Sequence, residues 1–223
     1  MKSILLAPDL SSESAKTIQT ALSSLPKSGS KIYDRKSQIV YRFQVGDLDL
    51  IAKIYQIKSP SRTLAAHLGF SRARRSYRAS IILREAGIRT PKSLMLIEQG
   101  HPVYSTSTLV TNFCEGPSLR KFLQSKTPVP DTLVSDITAI LRGLKRNAIR
   151  HGDFHDSNLI ITPDGRPHLI DLDGVRKRLL KKTVVQNIRE DRDRLLLSTA
   201  HTPTFQAALI EKLGAPDTPL QNL

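Results

Sequence analysis

A segment rich in carboxylate, amide and imidazole side chains lies about two-thirds of the way along the chain. It contains Asp153, then Asn158 five residues later, and Asp171 after another thirteen. An amide oxygen and a carboxylate are hard oxygen donors that suit a Mg²⁺ ion also bound to phosphate. Asp153 precedes both residues, so it could orient a substrate hydroxyl or take its proton. This division of roles is typical of phosphoryl transfer.

Two short apolar runs must position these side chains. Residues 159–161 follow Asn158, turn residues occupy 163–167, and a second apolar run leads directly to Asp171. Short apolar runs bounded by turn residues predict paired strands. Pairing would bring Asn158 and Asp171 together, with Asp153 on the loop before the hairpin. A surface loop with scattered carboxylates is the alternative interpretation, and the ordered arrangement of the whole segment argues against it.

The sequence HGDFHDSN at 151–158, followed by IDLDG at 170–174, resembles the kinase-like phosphotransferases. These include aminoglycoside and choline kinases, small RIO-type kinases, and the lipopolysaccharide core kinases that phosphorylate Kdo or heptose. The resemblance to the last group is closest, because SRARRSYR at 71–78 and EAGIRTP at 85–91 are similar to its pattern. It implies an α+β, two-lobed protein-kinase-like fold. A small β-rich N-lobe would span 1–115, and a reduced, mostly helical C-lobe would span 116–223.

The resemblance also implies a role for each candidate residue. Asp153 would be catalytic, Asn158 and Asp171 would hold Mg²⁺, and Lys53 would bind the phosphates of ATP. Lys53 is the lone charge in the apolar run 50–55, where a lysine must reach solvent or meet an anionic partner. His151 is expected to brace the catalytic loop. Three further roles stay open: His155 could touch the transferred phosphate, and Asp173 could take a second metal or cap a turn.

Two features depart from the kinase pattern. The glycine-rich phosphate loop is replaced by the turn 34–37, where Arg35, Lys36 and the Ser37 amide could hold phosphate oxygens, although a solvated charged turn is an equal alternative. The helix position that supplies a Glu partner for the strand lysine is Ser76, and Glu85 falls on the opposite face. These losses favour a degenerate, non-catalytic binding module, whereas the retained Asp153, Asn158 and Asp171 favour an enzyme.

Hydrophobic periodicity and turn signals predict the other elements. Cys114 follows a segment that resembles the kinase hinge, with a lobe boundary at 115–117, and it is interpreted as a packing residue. Asp131 is expected to cap the long helix that leads to the catalytic loop. The predicted helices are 10–25, 71–86, 118–124, 131–147, 184–198 and 204–213, and the predicted strands are 37–43, 48–55, 93–98 and 104–111, with a turn at 100–102.

The composition limits the cellular setting. The 223 residues include 34 Lys and Arg against 20 Asp and Glu, a net charge of +14, which implies an acidic partner. Aromatic residues make up only 5% and no RNP or zinc-finger signature is present, so no nucleic-acid partner is expected. A single cysteine, no signal peptide and no apolar run of about 20 residues indicate a cytoplasmic protein. The arginines 74, 75 and 78 could dock on anionic headgroups of the inner membrane.

These observations predict an ATP- and Mg²⁺-dependent kinase that phosphorylates a sugar hydroxyl, of Kdo or heptose in the lipopolysaccharide inner core. A RIO-type protein kinase and an aminoglycoside- or choline-type phosphotransferase remain alternatives. No long activation segment ending in Ala-Pro-Glu follows Gly174, which argues for a glycan, lipid-linked or small-molecule acceptor. An anionic acceptor would suit the basic residues that follow, namely Arg176, Lys177, Arg178, Lys181 and Lys182.

Overall fold

The computed structural model describes residues 2–35, 37–57, 71–100, 105–125, 128–177 and 181–219. The chain forms two compact units. Unit 1 comprises 1–81 and 91–113, and unit 2 comprises 82–90 and 114–223. Residues 82–90 therefore group with the second half of the chain, although the sequence prediction placed them in the N-lobe. Lys36, His101, Pro102 and Arg178, to which the sequence analysis gave roles, lie outside the described residues, as do the side chains of Lys181 and Lys182.

Unit 1 is built on a six-stranded sheet in which every neighbouring pair is antiparallel. The strand order is β1-β5-β6-β4-β3-β2. Two of these strands, β1 and β2, were absent from the sequence prediction. The strands are β1 (Lys2–Leu6), β2 (Ser30–Arg35), β3 (Gln38–Val45), β4 (Leu48–Ile57), β5 (Ser93–Gly100) and β6 (Ser105–Asn112).

In the part of unit 1 that the structure describes, one helix covers each face of this sheet. Helix α1 (Ser12–Ser28) begins where the Ser11 hydroxyl accepts from the Ser14 amide, and its apolar side packs with Leu50, Ala52 and Val110. Helix α2 (Arg72–Glu85) covers the other face, where Ala73 and Tyr77 pack with Tyr55, Leu96 and Leu109. Alternate residues of a strand point to opposite faces. Lys53, paired in register with Leu109, therefore lies on the face that α2 covers.

Unit 2 is mainly helical. Its helices are α3 (Leu119–Gln124), α4 (Leu133–Arg146), α5 (Lys181–Ser198) and α6 (Pro203–Leu213). Helix α4 buries Leu133, Ile137, Leu141 and Leu144, at the helical spacing that the sequence predicted. The predicted Asp131 cap is wrong: Thr132 occupies the cap position, and its side chain makes no capping hydrogen bond.

Two small antiparallel sheets complete unit 2. The pair β8 (Leu159–Ile161) and β9 (Pro167–Leu169) is the predicted hairpin, with Leu159 opposite Leu169. The pair β7 (Ile149–Arg150) and β10 (Arg176–Lys177) holds the chain on either side of that hairpin. Within the described part of the chain, no helix combines the length and apolar character needed to cross a bilayer.

Candidate active site

Asp153 lies on the loop between β7 and β8, where its carboxylate contacts three side chains. One oxygen, Oδ2, accepts from Asn158 Nδ2 at 3.1 Å and lies 3.4 Å from His155 Nε2. The other, Oδ1, is 3.4 Å from Arg194 Nη1. The side chain is 44% exposed, so it is held in place and still open to an incoming molecule. A carboxylate in this setting can accept a hydrogen bond from a bound hydroxyl.

The hairpin brings the backbones of Asn158 and Asp171 together. Asn158 immediately precedes β8, Asp171 follows β9 by two residues, and the Ile170 amide donates to the Asn158 carbonyl at 2.9 Å. The Asn158 amide group donates to the Asp153 carbonyl at 2.9 Å as well as to its carboxylate, and the amide oxygen takes no part in either bond. Asp171 adopts a left-handed backbone with φ of 57°, a strained conformation that is often found at functional sites.

The donor set of Asn158 and Asp171 fits Mg²⁺. The ion prefers oxygen ligands and is usually bound by one or two protein groups together with water and substrate phosphates. Asp173 adds a second carboxylate two residues after Asp171. In the described ranges, no cluster of three or more His, Cys, Asp or Glu side chains has metal-binding geometry. A site that Asn158 and Asp171 share with phosphate oxygens and water suits these two side chains.

A buried carboxylate that the sequence analysis missed fixes the start of this loop. Asp191, on α5, accepts from the backbone amides of His151 at 2.8 Å and of Gly152 at 2.9 Å. Burial raises the pKa of Asp191 to about 6, against the opposing effect of these two hydrogen bonds. A sequence signal existed: Asp191 lies three residues after Ile188 and four before Leu195, on the buried face of the helix.

His151 braces the same loop from the inside, consistent with its predicted role. Its ring is fully buried, with Nε2 3.2 Å from the Ile170 carbonyl and Nδ1 accepting from the Asp153 amide at 3.3 Å. Burial lowers the pKa of His151 to about 4, so the ring is neutral at physiological pH. Its two hydrogen bonds tie the Asp153 loop to the segment that ends in Asp171.

An open pocket of about 670 Å³ lies beside Asp153 in unit 2. Its wall includes His155 and Arg194, both of which contact Asp153. Arg120 also lines it and contacts Asp156, a buried carboxylate that His201 contacts too. Glu190, Asp193 and the exposed Leu197 complete a wall of mixed charge with one apolar side chain. Such a lining, with charged side chains of both signs, suits a polar, hydroxyl-rich molecule.

In unit 1, helix α2 departs from the usual kinase arrangement in the way the sequence indicated. Ser76 is buried and its hydroxyl donates to the Arg72 carbonyl at 3.2 Å, so this position supplies no carboxylate for Lys53. Arg74 instead forms an ion pair with Glu98 of β5, with side chains only 18% and 16% exposed. Arg74 is therefore a structural residue, and the predicted membrane-docking role of this arginine is not supported.

Cys114 has the environment of a packing residue. Burial raises the pKa of its thiol to about 11, with a smaller contribution from the negative charge of Asp164. The thiol is therefore protonated at physiological pH and is a poor nucleophile. This agrees with the interpretation of Cys114 from sequence.

The six-stranded antiparallel sheet of unit 1 and the helices and hairpin of unit 2 are consistent with a kinase-like phosphotransferase fold. Residues 42–213 match the family model described as "Lipopolysaccharide kinase (Kdo/WaaP) family". The chain belongs to this family. A solved structure described as WaaP in complex with acyl carrier protein is similar in fold, with a TM-score of 0.66 and 18% identity. That match covers 94% of this chain and 89% of the other. No curated protein sequence matches the chain. The predicted family and fold class are confirmed.

Proposed function

We propose that this protein is an ATP-dependent kinase that transfers phosphate to a sugar hydroxyl of the lipopolysaccharide inner core, on Kdo or heptose. The observation that carries the proposal is the half-exposed Asp153 carboxylate, hydrogen-bonded to Asn158 at the end of the hairpin that leads to Asp171. Membership of the lipopolysaccharide kinase family supports the sugar acceptor. The presence of Asp153, Asn158 and Asp171 together also favours an enzyme over a binding module.

In the proposed mechanism, each residue acts on a defined part of the reaction. Asp153 accepts a hydrogen bond from the acceptor hydroxyl and takes its proton as the new O–P bond to the γ-phosphorus forms, while the bond from that phosphorus to the bridging oxygen breaks and ADP leaves. Asn158 and Asp171 would hold Mg²⁺, which when bound neutralises phosphate charge. Lys53 of β4 binds ATP phosphates. Asp191 and His151 contribute rigidity, because a loop held on both sides keeps Asp153 in a productive position.

The pocket beside Asp153 supports an anionic glycan as acceptor. A carboxylate or phosphate on the sugar could pair with Arg194 or Arg120, and the hydroxyl would then lie near Asp153. The protein would also contact the anionic inner membrane, because its net charge of +14 attracts anionic headgroups.

The direct test is a phosphorylation assay with labelled ATP, Mg²⁺ and two acceptors, Kdo₂-lipid A and a heptose-containing core oligosaccharide. We expect phosphate incorporation that requires Mg²⁺ and is lost when EDTA is added. An aminoglycoside and a generic protein substrate serve as controls for the alternative acceptors. Incorporation into either control but not into the core glycans would identify that control's class as the acceptor. ATP binding without any transfer would indicate a binding module.

A further inference from the structure

A second basic pocket lies in unit 2, at the turn end of the β8–β9 hairpin. Its volume is about 260 Å³, and three separate segments contribute an arginine to its wall. These are Arg89 from the loop after α2, Arg146 from the last turn of α4, and Arg166 from the hairpin turn. Since a water molecule occupies about 30 Å³ in the liquid, the space is sufficient for a phosphate group and several waters.

The loop that carries Arg89 is fixed at three points. The Ile88 amide donates to the Leu83 carbonyl at 2.8 Å, the Thr90 hydroxyl donates to the Leu169 carbonyl at 2.7 Å, and the Arg89 carbonyl accepts from the Leu169 amide at 2.9 Å. Helix α4 has Gly143 where the loop crosses it, and a Cβ there would approach Ile88 Cγ1 to 3.2 Å. The position of Arg89 is thus set by the fold before any ligand arrives, which lowers the entropic cost of binding.

The charges in this pocket are unbalanced. Within the described ranges, the guanidinium groups of Arg89 and Arg146 make no hydrogen bond or ion pair. Arg166 is exposed, with Nε 3.8 Å from the Asp164 carboxylate. Among the described residues that line the pocket, Asp136 is the one carboxylate. Guanidinium groups bind phosphate with paired, charge-assisted hydrogen bonds, so several of them around one cavity favour a dianion.

A neighbouring histidine reports the same positive field. His168, on β9, has a pKa lowered first by burial and then by the charge of Arg89, with a smaller lowering effect of Arg84 and an opposing effect of Asp164. The imidazole is therefore neutral where a phosphate would bind nearby. A bound dianion would offset the arginine charges that His168 experiences.

We propose that this pocket is a binding site for a phosphate monoester dianion, separate from the catalytic end of the hairpin. The described residues that line the pocket include Arg166 and Pro167 at the hairpin turn, and they include none of the side chains that contact Asp153. Phosphate in this pocket would contact Arg89 and Arg146, and it would not reach Asp153. The inference is independent of the proposed kinase function, since it depends only on the pocket itself.

The test is calorimetric titration of the full chain with inorganic phosphate and, in a second arm, with glucose 1-phosphate. The variants Arg89→Gln and Arg146→Gln each remove one charge from the pocket, and Arg142→Gln removes the same charge one turn earlier on α4, outside the pocket wall. We expect each pocket variant to bind at least tenfold more weakly and Arg142→Gln to bind as the wild type does. Tighter binding in the second arm would assign the site to sugar phosphates, and equal or tighter binding of free phosphate would assign it to the inorganic ion.

Equal affinity in all four proteins would overturn the proposal, because any phosphate bound would then lie elsewhere, for example at the catalytic end. An equal loss in Arg142→Gln would also overturn it, since that result would reflect overall charge. Thermal unfolding without phosphate should give the same midpoint for the two pocket variants and the wild type, which separates lost binding from lost folding.

Discussion

At the scale of single residues, the roles of Asp153 and its neighbours can be separated by isosteric substitution. Asp153→Asn keeps the shape of the side chain but removes its ability to accept a proton. We expect turnover to fall about 10²–10⁴-fold, the usual contribution of a general base, with ATP binding retained. Steady-state kinetics and an ATP titration measure the two effects. The matched control is Asp164→Asn, which changes an exposed carboxylate on the hairpin turn and should keep full activity. Undiminished turnover in Asp153→Asn would refute the mechanism.

Asp191 acts through the backbone of the loop, so its substitution should reduce both stability and turnover. In Asp191→Asn, an amide N–H₂ group faces one of the two backbone amides that the carboxylate now binds. Turnover should fall with little change in the apparent affinity for ATP, because the loop that carries Asp153 is displaced. A variant with full turnover would show that the loop holds its position without Asp191.

The raised pKa of Asp191 also predicts how this stability difference changes with pH. A carboxyl whose pKa is higher in the folded protein binds a proton more tightly there, so its stabilising contribution is complete below about pH 4 and lost as pH rises through about 6. The stability advantage of the wild type over Asp191→Asn should therefore be larger at pH 4.5 than at pH 7.5. Urea unfolding at both pH values measures the difference in free energy of unfolding between the two proteins. A larger advantage of the wild type at pH 7.5 would contradict the predicted direction of the pH dependence.

At the scale of elements, the sequence predicts the helices and hairpins that form through contacts between residues close together in the chain. The β8–β9 hairpin is marked by its turn residues, and α4 by four apolar residues at helical spacing. Strand β1 carries no such signal, because its pairing with β5 joins residues 89 to 97 positions apart. Strands β7 and β10 have two residues each, too short for any periodicity. Asp191 was missed for a related reason: its partners are backbone amides 39 and 40 residues away.

A glycine beside the hairpin tests how tightly this element is held. Gly116 has φ of +131°, and a Cβ there would lie 2.0 Å from the Ile161 carbonyl oxygen of β8. Gly116→Ala should therefore combine backbone strain with a steric clash and cost about 2–5 kcal/mol. Gly165→Ala is the control, since φ is also positive there but the nearest contact is an ordinary 3.4 Å, and it should cost about 1–2 kcal/mol. Chemical denaturation measures the free energy of unfolding of both variants. Equal losses would show that β8 shifts to accommodate the added methyl group.

At the scale of the whole molecule, composition indicates the sign of the partner's charge but not the surface that meets it. The sequence grouped Arg74, Arg75 and Arg78 as one basic face. The structure separates them, because Arg74 is paired with Glu98, 24 positions further along the chain, whereas Arg78 is exposed. Charge counting could not foresee this, since an ion pair across a fold cancels charge that the sequence shows as free.

This difference leads to a prediction about membrane contact, with two variants that remove the same charge from one helix. Arg78→Gln should weaken sedimentation with anionic phosphatidylserine vesicles about fivefold, since one arginine near such a surface contributes about 1 kcal/mol, and leave thermal stability unchanged. Arg74→Gln should lower stability, because it leaves the mostly buried Glu98 without its cation, with less effect on vesicle binding. Added salt should weaken binding of every form, as screening requires. Salt-insensitive sedimentation, or an equal loss in both variants, would exclude α2 as the electrostatic contact surface.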